Sequence, residues 1–201
     1  MPVTEAPSPE RKRNAAATRE AILKSAHAAF VRSGYDGVGV REIASGAGVT
    51  AMLVNRYFGS KENLFAEVMG RDLAAPTILT AQTLASPTLA ADMARMVVAI
   101  TAQQATALDG FQMMLRSAGS ERAAELARNA IEAHHHRNLS GVLAGPHAAE
   151  RAALILSLVA GVQIMRQMIG LDTLAKADPA VLTSLLEPVI AALIAPPGNA
   201  G

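Results

Sequence analysis

Arg41, Asn55, Arg56, Tyr57 and Lys61 crowd into one short stretch, VREIASGAGVTAMLVNRYFGSKENLF from Val40 to Phe65. Their chemistry is that of nucleic-acid recognition. An asparagine amide pairs bidentately with adenine and an arginine fork with guanine, while an alanine or methionine touches a thymine methyl. A phenol or an ammonium suits phosphate oxygens, which set the position of a protein on a duplex without reading its sequence.

Side chains of this kind need a scaffold, and the punctuation of the stretch supplies one. Gly39 opens a first short helix whose inward residues are Val40, Ile43 and Ala44, and Gly48 offers the left-handed residue that stops it. Val49 fills the corner. Thr50 caps a second helix, on which Val54 and Phe58 are i, i+4 partners facing inward, leaving Ala51, Met52, Asn55 and Arg56 outward. Ser60 caps a third helix with Leu64, Phe65 and Val68 on its apolar face, and free N–H groups at its start suit a phosphate. Two helices joined by a tight glycine-containing turn form a helix-turn-helix, in which the first helix braces the second as it enters a major groove. Upstream, Ile22, Ala26, Ala29 and Phe30 lie on one helical stripe, with Thr18 as the expected N-cap and Gly34 as the stop.

The segment TREAILKSAHAAFVRSGYDGVGVREIASGAGVTAMLVNRYFGSKENLF, Thr18 to Phe65, resembles the DNA-binding domain of the tetracycline-repressor (TetR/AcrR) transcriptional regulators. The likeness lies in AAF…GY, VREIA, AGV, YF and SKENLF at that family's spacing. It implies an all-helical homodimer with a second, ligand-binding and dimerising domain, usually a repressor released from its operator by a small molecule. Carried over by position, the family's phosphate and base contacts fall on Arg41, on Thr50, Ala51, Met52, Asn55 and Arg56, and on Tyr57 and Lys61. Gly39 stands where many members have Ser or Thr, losing a hydroxyl but keeping the backbone N–H. Asn55 stands where many have Tyr, so the operator of better known relatives does not transfer.

Composition sets the wider frame. The chain has 201 residues, 51% hydrophobic and 17% charged, enough for one large domain or two small ones with a sizeable core. Residues 1–71 hold 10 Lys and Arg against 7 Asp and Glu, and residues 72–201 hold 8 against 10, so the front third is the part that would face a polyanion. No cysteine is present, which excludes disulfides, Cys-ligated zinc and thiol catalysis. There is no G-x-S-x-G, no glycine-rich phosphate loop and no H-E-x-x-H, so a helical enzyme is a remote alternative and no cofactor is expected. The run Ala152–Met165 falls short of a bilayer span and the N-terminus lacks an apolar signal region, making a cytoplasmic address and no membrane partner the expectation. Residues 1–17 read as a disordered tail, whose Arg11, Lys12 and Arg13 either solubilise it or touch DNA.

The pattern therefore predicts three regions: the tail at 1–17, a helix-turn-helix domain at 18–70, and a helical effector-binding and dimerisation domain at 71–201. Helices are expected at about 72–84, 88–105, 109–117, 120–143, 147–169 and 178–195, about nine in all with the first domain. Asp178 caps the last of these, with Pro179 at its first position. The helix at 147–169 is apolar around most of its circumference and must be buried on more than one side. Pairing with helix 178–195 in a four-helix bundle across a two-fold axis would cover it, although a central core helix in a monomer would do so too. Met93, Met96, Phe111, Met113, Met114, Met165 and Met168 mark a candidate pocket; methionine stripes also serve as plain core. Phe111 is the only aromatic residue after Phe65, which disfavours stacked aromatic walls and favours a small apolar effector. His134, His135 and His136 point about 100° apart on a helix, and only Glu132 with His136 could share an ion, so no metal is expected. A DNA-binding architectural protein without an effector is the main alternative reading.

Overall fold

The computed structural model describes residues 9–74, 79–102 and 109–195, and among them every regular element is helical. They fall into two compact units, the first from Met1–Asp72 and Asp109–Ala127, the second from Leu73–Leu108 and Arg128–Gly201.

In the first unit α1 runs Pro9–Ser33, α2 Val40–Gly46, α3 Ala51–Phe58, α4 Lys61–Ala74 and α7 Asp109–Ser117, with α8 beginning at Glu121. Helix α1 starts well before Thr18. Proline at a first helical position loses no hydrogen bond, and the alanines at 15–17 favour helix. Thr18 is therefore interior and not a cap: its hydroxyl donates back to the Asn14 carbonyl at 2.9 Å. Residues 1–8 of the expected tail lie outside the described residues, while the 9–17 segment is helical. Gly34, at φ +68°, ends α1 as expected.

An aromatic knot holds the unit's centre. Phe65 meets Phe30 and Tyr35 edge-on, both at 5.0 Å between ring centroids, and Phe30 stacks on Tyr35 at 6.3 Å. Such pairs each add about 0.5–1.5 kcal/mol beyond the area they bury. Ile22, Ala26, Ile43, Val54, Phe58, Leu64 and Val68 are buried around it, the inward set expected from their spacing. On the periphery, Arg19 pairs with Glu67 and Arg71 with Glu20, tying α1 to α4.

Helix α7 belongs to this unit, although the 71–201 boundary placed it with the effector domain. Its end is seated on the end of α1. The Ser117 hydroxyl accepts the Tyr35 N–H at 2.9 Å, the Arg116 guanidinium donates to the Val31 carbonyl, and a Cβ on Gly34 would come within 2.5 Å of the Arg116 carbonyl oxygen. These contacts join residues far apart in sequence, which no periodicity reveals.

In the second unit α5 is Ala81–Leu84, α6 Leu89–Ile100, α9 Arg137–Ser140, α10 Ala148–Gln163, α11 Asp172–Ala175 and α12 Pro179–Ile194. Helix α8 ends at Ile131 and a π-helical turn, Glu132–His136, joins it to α9; a second, Ile164–Met168, extends α10. A continuous helix over 72–84 does not form, because α4 continues past Gly70 to Ala74 and α5 starts afresh where Thr80 caps it through the Thr83 N–H at 3.0 Å. Helix α6 ends at Ile100, short of 105, with Thr101 as its C-cap. The α12 start is as expected: Asp178 accepts the Ala180 N–H at 2.7 Å and Pro179 follows. Met93, Ala94, Val97, Leu139, Leu143, Ala152, Ile155 and Ile190 form the core where α6, α9, α10 and α12 pack.

One expectation fails. The helix and its π turn, Ala148–Met168, run 21 residues and contain an 18-residue window of mean hydropathy 1.5, long and apolar enough to cross a membrane by length and composition. Arg151 and Arg166 interrupt its apolar run. Both guanidiniums are buried against protein carbonyls rather than free, as suits a helix packed within a protein.

Candidate nucleic-acid interface

The turn between α2 and α3 is built by backbone chemistry that the residue types dictate. The Val49 N–H reaches back to the Ala44 carbonyl at 2.9 Å and the Gly48 N–H to Ser45 at 3.1 Å, the paired bonds of a Schellman motif. Gly48 takes φ +66° to allow them. A Cβ on Gly46 would sit 2.4 Å from the Ser25 hydroxyl, which itself donates to the Ile43 carbonyl at 2.8 Å, so α2 lies tight on α1. The Thr50 hydroxyl then accepts the Leu53 N–H at 3.3 Å and starts α3. Gly39 caps α2 through its carbonyl alone, which accepts from Glu42 at 3.0 Å.

Helix α3 buries Val54 and Phe58 and turns its other face outward. Met52 is 82% exposed, an unusual state for a large apolar side chain, and Asn55 and Arg56 are exposed beside it. Thr50 is exposed and Ala51 half-buried at the leading end; Arg41 is exposed on α2. Tyr57 is half-buried, its ring 6.4 Å from Phe58 and tilted 45°, so it flanks the core without plugging it. The structure thus brings all eight expected DNA-contacting residues onto α2, α3 and the start of α4.

Their electrostatics are those of an unneutralised surface. Among the described residues, none of Arg41, Arg56 and Lys61 joins an ion pair. Glu42, beside Arg41, is taken by Arg32. Glu62, the carboxylate that could have held Arg56, instead accepts the Tyr35 hydroxyl at 3.0 Å. Backbone and Ser60 hydrogen bonds, with the Tyr35 hydroxyl, hold the Glu62 carboxyl below its usual range. Burial, reinforced by Glu62, pushes the Tyr35 phenol up to about 12. The Lys61 ammonium lies 4.2 Å from the centre of the Tyr35 ring, a cation–π contact that fixes it at the α4 N-terminus. The Ser60 hydroxyl accepts the Asn63 N–H at 3.2 Å there. Sequence reasoning gave no role to Tyr35, although a tyrosine following a glycine stop was a signal that something must be held at that corner.

The expected effector residues are divided. Phe111 and Met114 are half-buried on α7 in the first unit, where Met113 is fully buried. Met93, Met96, Met165 and Met168 are in the second. Met93 fills the core, Met96 accepts the Thr83 hydroxyl at 3.4 Å, and Met165 and Met168 are exposed. The triple histidine lies in the Glu132–His136 π turn, where His136 Nε2 is 2.9 Å from the Ala149 carbonyl and burial pushes His135 below the usual histidine range. Arg166 is one of three formal charges on the 147–169 helix, with Glu150 and Arg151.

Two family models match the chain. Residues 22–68 match the model for bacterial regulatory proteins of the tetR family, and residues 87–194 match a tetracycline-repressor-like C-terminal domain. No curated protein shows significant similarity. Among solved structures, GusR of Salmonella enterica superposes with a TM-score of 0.70 at 17% identity, over 88% of this chain and 95% of that one. A TetR-family regulator from Streptomyces coelicolor A3 gives 0.59 at 21% identity, over 94% and 99%. A transcriptional regulator from Rhodococcus sp. Rha1 gives 0.59 at 23%, over 88% and 95%. At these identities the likeness is one of fold.

Proposed function

Because the chain belongs to the tetR family of bacterial regulatory proteins, and is thus a DNA-binding transcriptional regulator, we propose that it is a cytoplasmic dimeric repressor released by a small molecule. The observation that carries the DNA-reading part is the face of α3: Met52, Asn55 and Arg56 stand exposed, with Arg41 and Lys61 around them joining no ion pair among the described residues. In this reading Asn55 and Arg56 contact base edges, Met52 and Ala51 meet thymine methyls, and Arg41, Thr50, Tyr57 and Lys61 hold phosphates. Two copies of α3 would enter successive major grooves about 34 Å apart on one face of the duplex.

Dimerisation through α10 and α12 is supported by their uncovered apolar side chains. Leu154, Met165, Met168 and Ile169 on one, and Val181, Leu185 and Val189 on the other, are all exposed. The last three recur every fourth residue, one stripe of a helix, as a bundle across a two-fold axis requires.

The effector reading rests on composition. The second unit contains no aromatic side chain, so its interior offers aliphatic and thioether surface, suited to an apolar ligand. Ligand binding would favour a conformer whose paired recognition helices are wrongly spaced; moving a site from mostly bound to mostly free takes about 5 kcal/mol of differential affinity. A gel shift on DNA selected from a random pool, repeated with candidate ligands, tests both halves. An architectural protein would instead bind all duplexes alike.

A further inference from the structure

The second unit buries two arginines, and neither has a carboxylate partner among the described residues. They differ in what satisfies them. Arg151, 6% exposed, donates to the carbonyls of Leu193, Ile194 and Ala195 at the end of α12 and to Ala144. Its charge sits at the negative pole of a helix, which is a capping role.

Arg166, 4% exposed, sits in the Ile164–Met168 π turn. Its Nη1 donates to the Val98 carbonyl at 2.6 Å and the Thr101 hydroxyl at 2.9 Å, and its Nε to the Leu174 carbonyl at 3.2 Å. Among the described residues its Nη2 has no acceptor. The nearby acids are committed elsewhere: Asp92 to Arg95, Asp172 to Lys176, Asp178 to the α12 cap. Next in sequence, Gln167 donates its Nε2 to the carbonyls of Ile100 at 3.2 Å and Ala102 at 2.8 Å. Those two acceptors settle which way the amide faces, and they leave its Oε1 buried with no donor. One spot thus holds a buried cation whose Nη2 has no protein acceptor among the described residues and a half-buried glutamine whose Oε1 is buried without a donor, set in a π turn that interrupts the helix. Burial also pushes the Arg166 guanidinium below its ordinary range. Apolar side chains of Met96, Ile100, Val159 and Val162 lie half-buried on the same two helices.

We propose that Arg166 and Gln167 form the headgroup site of the effector, and that the effector is an acyl-chain acid carrying a hydroxyl or N–H beside its carboxylate. The carboxylate pairs with the free edge of Arg166, the adjacent donor meets Gln167 Oε1, and the chain lies along the aliphatic and methionine surface of α6 and α10. This assignment rests on the reading that a small molecule enters the second unit, and it replaces a purely apolar effector with an amphipathic one.

The test uses 3-hydroxydecanoate and its methyl ester with the full-length dimer, by calorimetric titration. The acid is expected to bind at least about tenfold more tightly than the ester, the loss of one charge-assisted hydrogen-bonded pair. Arg166→Met should remove that preference and Arg166→Lys should retain part of it. Equal affinities for acid and ester, no binding of either, or an undiminished preference in Arg166→Met would overturn the proposal. The acid-versus-ester comparison in the unmodified protein decides the matter even if the variants do not fold. DNA release is scored separately. Acid binding that leaves DNA bound would support this site and sink the release reading, whereas release by the ester alone would sink this site and leave release standing.

Discussion

Replacing Arg41 by alanine isolates the phosphate term of DNA binding. The side chain is exposed, joins no ion pair, and its neighbour Glu42 is neutralised by Arg32, so its removal leaves the fold within about 0.5 kcal/mol of its original stability. A two-fold dimer presents Arg41 twice. If each copy holds one phosphate, the variant releases two fewer counterions, and the slope of log K against log salt flattens by about 1.8. Between 50 and 200 mM salt the advantage of the unmodified protein over the variant should therefore shrink about tenfold. Fluorescence anisotropy with a labelled, selected duplex at four or five salt concentrations measures this directly. An unchanged slope with an affinity loss equal at every salt would refute a phosphate role for Arg41, and a lowered melting temperature would show instead that it supports the fold.

Other substitutions test the scaffold. Leu185→Glu places a charge in the exposed stripe of α12, and sedimentation should find a monomer at micromolar concentration with operator affinity lost; an intact dimer would remove α12 from the interface. Gly48→Ala should cost about 1–2 kcal/mol in urea unfolding, all of it backbone, because nothing lies within 4 Å of the added Cβ while φ is +66°. A neutral result would mean the turn relaxes out of the left-handed region. Burial raises the Asp72 carboxyl pKa against the attraction of His27, whose Nε2 is 3.1 Å away. The folded chain thus holds that proton more tightly than the unfolded one, and this support is present below the usual aspartate range near 4 and lost as pH rises through the raised value. Asp72→Asn should accordingly raise the melting temperature at pH 7 and leave it unchanged at pH 3. Destabilisation at pH 7 would show that the His27 contact outweighs burial.

The helix-turn-helix was legible because its determinants are local. Gly48, Thr50 and Ser60 each act on backbone groups within a few residues, and Val54 with Phe58 define an inward face by spacing alone. Asp178 and Pro179 were readable for the same reason. Thr18 misled because a threonine is as able to bond back into a helix as to cap one, and only the helical preference of the preceding alanines decides between them. The seating of Ser117 and Arg116 on α1 joins segments more than 80 residues apart, so the compact unit that α7 packs in was not legible in the sequence. The methionines were the least informative candidates. Their spacing does not distinguish the buried Met93 from the exposed Met165, because an unbranched thioether is at home in either place. Arg166 was visible as one of three formal charges on its helix, but its meaning depends on which acceptors it finds and which it lacks.

The central claim is that the outer face of α3 reads bases. Selecting bound duplexes from a random pool, with the unmodified protein and with Asn55→Ala in parallel, tests it most directly. The unmodified protein should enrich an inverted repeat whose half-site centres lie about 10 base pairs, or a multiple of that, apart. Asn55→Ala should keep the spacing and relax one position in each half-site. Enrichment of no motif, or an identical motif from both proteins, would contradict the account.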